Sequence, residues 1–131
     1  MATDKTTLWI EDDEFLSGLV SQKMAHEGRK LIRASRADEA LAAIEAEIPD
    51  VVILDILLPG TNGFELLKQL REDARLAAVP IIVLSNYSQE DDIARAKSLG
   101  ADRYLVKATL SLDDVMKNLD AVLSEGRAPK A

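Results

Sequence analysis

The chain has 131 residues, 47% apolar and 30% charged, and its 16 basic side chains stand against 23 acidic ones for a formal charge of −7. That length predicts one compact domain, and the lack of cysteine leaves no disulfide framework, thiol nucleophile or zinc–thiolate centre. A net-acidic chain repels nucleic-acid phosphates and anionic lipid, and no apolar run approaches the ~20 residues of a membrane helix, so the expectation is a cytoplasmic protein that binds neither nucleic acid nor membrane.

The polar start, Met1 to Lys5, has no signal-peptide pattern. Thr6 to Ile10 is the first apolar run and reads as a strand. Glu14 to Glu27 follows as a helix expected to bury Phe15, Leu16, Leu19, Val20 and Met24, with Gly28 ending it. Lys30 to Ala34 is the second strand, and Ser35-x-x-Asp38 carries the signature of a helix start. Val51 to Leu54 and Ile81 to Leu84 are apolar at every position, the pattern of strands covered on both faces at the centre of a sheet. Asn62-x-x-Glu65 opens a helix between them, and Ser88-x-x-Asp91 opens another, whose first-turn acids Glu90, Asp91 and Asp92 suit the helix dipole. Gly100 ends that helix. Arg103 to Val106 is the fifth strand, and Ser111-x-x-Asp114 leads into a last helix with one apolar stripe of Leu112, Val115, Met116, Leu119, Val122 and Leu123. Glu125 to Ala131, with Gly126 and Pro129, reads as a frayed end, which sets the expected domain at 1–125 and a tail at 126–131. A βα unit repeated five times predicts a doubly wound α/β fold, a three-layer sandwich with a five-stranded parallel sheet.

Open parallel sheets bind ligands beyond the carboxyl ends of their strands, so the residues that follow each strand carry the functional reading. These are Glu11, Asp12 and Asp13 after strand 1, Asp55 after strand 3, Ser85 at the end of strand 4 and Lys107 after strand 5. Taken singly each has an ordinary explanation: Asp13 opens a helix, Ser85 caps a turn, and Lys107 is a solvated loop lysine. Together they place carboxylates, a hydroxyl and an ammonium on one rim. Carboxylates crowded from two strands repel, and either a raised pKa or a cation relieves that repulsion. Mg²⁺ is the economical cation, since it prefers oxygen and is held by one or two carboxylates plus phosphate. Magnesium, a lysine and a hydroxyl also suit a phosphoryl group, and a carboxylate can attack phosphorus. His26, the only histidine, lies away from this rim, so a triad base is missing there. The glycines fit no phosphate-loop pattern.

These residues resemble the receiver domain of bacterial response regulators, of the chemotaxis-regulator type with a flavodoxin-like fold. Thr7-Leu-Trp-Ile-Glu-Asp-Asp-Glu14 resembles the family's first strand and acidic pair. Val51-Val-Ile-Leu-Asp-Ile-Leu-Leu-Pro-Gly-Thr-Asn-Gly63 resembles its phosphorylation-site strand and loop. Pro80 to Ser85 carries its hydroxyl, and Gly100-Ala-Asp-Arg-Tyr-Leu-Val-Lys107 its lysine. The resemblance implies that Asp55 accepts a phosphoryl group from a phosphohistidine, that Asp12 ligates Mg²⁺ directly with Glu11 acting through water, and that the Leu57 carbonyl and Asp55 complete the protein ligands. It implies that Lys107 pairs with Asp55, that Ser85 donates to the phosphoryl oxygens, and that Tyr104 is the aromatic switch moving with Ser85. Leu57 and Tyr87 resemble variable positions beside the path of attacking water. Both are bulky, and slow self-dephosphorylation is expected. Ala108 stands where the family usually has a proline. Catalysis is expected only of the domain's own phosphoryl transfer and dephosphorylation. The implied partners are a sensor histidine kinase or histidine phosphotransfer protein and an unknown downstream protein, with the chain acting as a stand-alone monomer or phosphorylation-linked dimer. The competing reading is a pseudo-receiver, or an excised receiver domain serving as an interaction or dimerisation module. An aspartyl-phosphate phosphatase would need an acid at position 57.

Overall fold

A computed structural model of the chain describes residues 5–58, 60–87 and 89–126. Five βα units alternate: β1 (Thr6–Ile10), α1 (Glu14–His26), β2 (Lys30–Ala34), α2 (Ala37–Ala46), β3 (Val51–Leu54), α3 (Gly63–Glu72), β4 (Ile81–Ser85), α4 (Glu90–Ser98), β5 (Arg103–Val106) and α5 (Leu112–Glu125). The sheet is wholly parallel in the order β2-β1-β3-β4-β5. The chain winds outward from β1 in both directions, so the predicted three-layer architecture is the observed one.

Alternation along the strands divides the core in two. Leu8, Ile10, Val52, Leu54, Ile81 and Val83 pack under α2, α3 and α4. Trp9, Val51, Ile53, Ile82 and Leu84 face α1 and α5, where Val20, Met24, Val115, Met116 and Leu119 meet them. Each strand of the centre is therefore buried on both sides, which is why β3 and β4 read as unbroken apolar runs.

Register sets the position of the functional residues. Ile10 lies level with both Ala34 and Leu54, so Glu11 and Asp55 leave adjacent strands side by side. Ser85 lies level with Val106, which places Lys107 one residue beyond it. Between β3 and α3 a short antiparallel ribbon pairs Leu57–Leu58 with Thr61–Asn62. The α3 helix starts so near the end of β3 that a Cβ on Gly63 would collide with the Ile56 backbone; glycine is required by the close approach.

Several local expectations change. Phe15 is 78% exposed and Leu19 is at the surface. The true inner face of α1 is Leu16, Ser17, Val20 and Met24, because Phe15 lies about 100° round the helix from Leu16. Ser17 is buried because its hydroxyl accepts the Trp9 indole N–H at 2.9 Å. The α2 cap falls at Arg36 without a side-chain bond, and the Ser35 hydroxyl instead donates to Glu39. Ser111 and Asp114 form the full capping box, Asn62 caps α3 through Phe64 N, and Gly28 and Gly100 have positive φ as expected. Ser85 belongs to β4 itself, and Glu125 is helical rather than frayed. Ser88 and the tail residues 127–131 lie outside the described residues.

Candidate functional site: an acidic cluster with a bridging lysine

Asp55 and Glu11 are 3% and 4% exposed, and Asp12 beside them is open to solvent. One carboxylate oxygen from each of the three lies within 4.8 Å of the others. The Lys107 ammonium donates to Asp55 Oδ2 at 2.8 Å and also forms an ion pair with Glu11. Asp55 Oδ1 accepts the Leu57 N–H at 2.9 Å, so each oxygen of Asp55 has a fixed donor. Ser85 is fully buried at the end of the neighbouring strand, and its Oγ accepts the Tyr87 N–H at 3.2 Å.

Two buried carboxylates thus share one ammonium. Burial, and next the adjoining Asp55 carboxylate, push the Glu11 carboxyl up to about 8 against the opposing pull of Lys107. Burial works against charge on Lys107, but Asp55 and Glu11 outweigh it and hold the ammonium above its ordinary value. The donor set of hard oxygens, two buried and one exposed, fits a Mg²⁺ ion, which takes a few protein oxygens and keeps the rest of its shell for water and phosphate. Glu11 and Asp55 are short of positive charge, and a divalent cation would supply it.

Each residue singled out in the sequence occupies this rim or its border. Asp13 has the ordinary role, capping α1 by accepting from Leu16 N at 3.1 Å. The described residues contain no cis peptide, so Ala108 follows Lys107 through a trans bond in a 3-10 turn, Lys107–Thr109, and the lysine still reaches Asp55. Tyr104 is partly buried against the α2–α4 core, and its hydroxyl donates to the Tyr87 carbonyl at 2.8 Å; burial first raises its pKa. Leu57 and Tyr87 flank the site, 44% and 41% exposed. The contact between Lys107 and Glu11 was not expected from sequence, and neither was Arg95, whose guanidinium lies 4.2 Å from the centre of the Phe64 ring near the same rim. Nothing local announces that pair, since it joins two helices across the fold.

Comparison with known proteins agrees with this geometry. The family model described as "Response regulator receiver domain" matches residues 7–120. The phosphate regulon transcriptional regulatory protein PhoB of Rhizobium meliloti is 35% identical over 118 residues, which cover 90% of this chain and 52% of PhoB. Protein PilH of Pseudomonas aeruginosa is 36% identical over 97 residues, 74% of this chain and 79% of PilH. Among solved structures, the chemotaxis response regulator CheY4 of Vibrio cholerae superposes with a TM-score of 0.84 at 28% identity, covering 92% of this chain and 99% of that one. The chain belongs to the response regulator receiver family of two-component signalling. It spans about half the length of PhoB. Receiver domains bind Mg²⁺ at an acidic site and interact with histidine kinases or phosphotransfer proteins, and the cluster of Glu11, Asp12 and Asp55 is of that kind. No helix among the described residues is long and apolar enough to cross a membrane.

Proposed function

We propose that residues 1–125 act as a cytoplasmic phospho-acceptor, with Asp55 taking a phosphoryl group from the phosphohistidine of a kinase or phosphotransfer protein. A carboxylate oxygen of Asp55 bonds to phosphorus as the N–P bond breaks, and the electron pair returns to the departing imidazole. The observation that carries the reading is the Lys107–Asp55 contact at 2.8 Å beside the three converging carboxylates. Lys107 orients the acceptor and then meets the phosphoryl oxygens, to which Ser85 donates its hydroxyl. Glu11, Asp12, Asp55 and the Leu57 carbonyl would hold Mg²⁺, which when bound supplies positive charge to the phosphoryl oxygens. The domain catalyses only its own transfer and dephosphorylation.

Output runs through protein contact. Tyr104 is tied to Tyr87, whose N–H is tied to Ser85, so movement of Ser85 toward a phosphoryl oxygen disturbs the tyrosine. A population shift in the packing of α4, β5 and α5 follows, read by a downstream protein or by a second copy of the chain. The exposed ring of Phe15 on α1 and the apolar groove that Leu16, Leu110, Leu112 and Lys107 line offer a seat for the helix that presents the phosphohistidine.

Incubation with Mg²⁺ and acetyl phosphate should add one phosphoryl mass to the chain and none to Asp55→Asn; equal modification of both rejects the assignment. Phe15→Ala should slow transfer from a phosphorylated kinase and leave modification by acetyl phosphate unchanged. Leu57 and Tyr87 are bulky and carry no group that positions a water beside the acceptor, so acyl-phosphate decay should quicken in the Leu57→Asn, Tyr87→Glu double variant.

A further inference from the structure

Every arginine among the described residues except Arg95 forms an ion pair with an aspartate or glutamate. In a chain with 23 acids, the exposed Arg95 has the Phe64 ring as its partner instead, 4.2 Å from guanidinium to centroid. Phe64 is 5% exposed and fixed in the core. A guanidinium stacked on a ring keeps its in-plane N–H donors free and loses little freedom when those donors are used, because the ring already holds the plane. Arg95 is therefore a preorganised donor fork with no acceptor.

It lines a groove of about 400 Å³ between the β3–α3 segment and α4, within the roughly 300–1,000 Å³ of small-molecule sites. Ile56, Leu57, Phe64 and Tyr87 give it apolar walls, and Asn62 and Asp92 complete the lining. Asp92 makes no ion pair with Arg95; its charge instead lies near enough to Tyr104 to oppose ionisation of that hydroxyl. One cation, one acid at the border and apolar walls favour a ligand with a single negative charge on an apolar stem. A dianion such as phosphate would leave one charge uncompensated beside Asp92.

We propose that this groove is a binding site for a small aliphatic carboxylate, its acid group received by the Arg95 fork and its stem laid along Leu57 and Tyr87. The site stands whether or not Asp55 accepts a phosphoryl group. Its position gives it reach, because the Leu57 and Tyr87 N–H groups bond Asp55 and Ser85, and a bound acid presses on the residues that carry those bonds.

The test is a titration of the ¹⁵N-labelled chain with hexanoate, with hexanamide as the neutral isostere and inorganic phosphate as the stemless anion. Hexanoate should give saturable amide shifts centred on Leu57, Asn62, Phe64, Tyr87 and Arg95. Arg95→Gln keeps the aliphatic stem over the ring and removes the charge, and it should weaken hexanoate at least about five-fold, the effect of one partly exposed charge pair worth ~1 kcal/mol. Hexanamide and phosphate should each bind wild type more weakly than hexanoate by a similar factor. The proposal is overturned if hexanoate shifts do not saturate or fall elsewhere, if hexanamide or phosphate binds as tightly, or if Arg95→Gln binds hexanoate as tightly as wild type.

Discussion

The two ends of the sheet both bury charge, and they resolve it differently. At the amino ends of β4 and β5, Arg71 and Asp102 pair at 3.1 Å. Arg71 also donates to the carbonyls of Leu76, Val79 and Gly100, and Asp102 accepts the Ile81 N–H. That cluster pairs a cation with an anion and adds main-chain partners, and it clasps the end of α3 to the start of two strands. At the carboxyl ends, two buried anions share one cation: the Lys107 ammonium meets Glu11 Oε1 and Asp55 Oδ2, while the Asp13 and Leu57 N–H groups donate to their other oxygens. The same cost of taking charge out of water is met by structure at one end and left for a ligand at the other.

Substitution should separate the ends by sign. Asp102→Ala leaves Arg71 buried beside unpaired donors and should lower unfolding free energy by about 3 kcal/mol in urea melts. Glu11→Gln removes a carboxyl that folding must either protonate or bury charged, and should raise metal-free stability by about 1–2 kcal/mol, while weakening Mg²⁺ binding roughly ten-fold by titration. A loss of stability in both variants would erase the contrast.

Acidity sharpens it further. The Glu11 carboxyl has its folded value near 8 against an unfolded 4.5, so the folded chain binds more protons across that window. Its contribution to stability is complete below the lower value and is lost as pH rises through the upper one. In chelator, the thermal midpoint should fall between pH 5 and 8, and excess Mg²⁺ should offset the fall at pH 8, where the cation takes the place of the proton. The smallest effect is expected at the border of the rim: Tyr104→Phe removes one exposed hydrogen bond to the Tyr87 carbonyl, worth about 0.5 kcal/mol in urea, and should free the ring to leave its resting position.

The sequence made the rim legible because parallel strands have a fixed register, so residues following Ile10 and Leu54 had to emerge together. Full burial of β3 and β4 was equally plain in their unbroken apolar runs. The clasp was not legible, since Arg71 and Asp102 are far apart in the chain and each reads as a surface charge at the end of a helix or loop. Phe15 reads as buried from sequence because the apolar residues of α1 admit more than one inner face. The indole N–H of Trp9, which needs a buried acceptor, would have pointed to Ser17 and so to the right one. Ser35 reads as a cap from sequence, but its hydroxyl chooses between capping and the Glu39 carboxylate and takes the carboxylate.

Trp9 has one more use. It is the chain's single tryptophan, sealed to 1% exposure, and it borders the same groove as Lys107. Its indole fluorescence therefore comes from one known place, two residues along the backbone from Glu11, and can be followed without any dye or label.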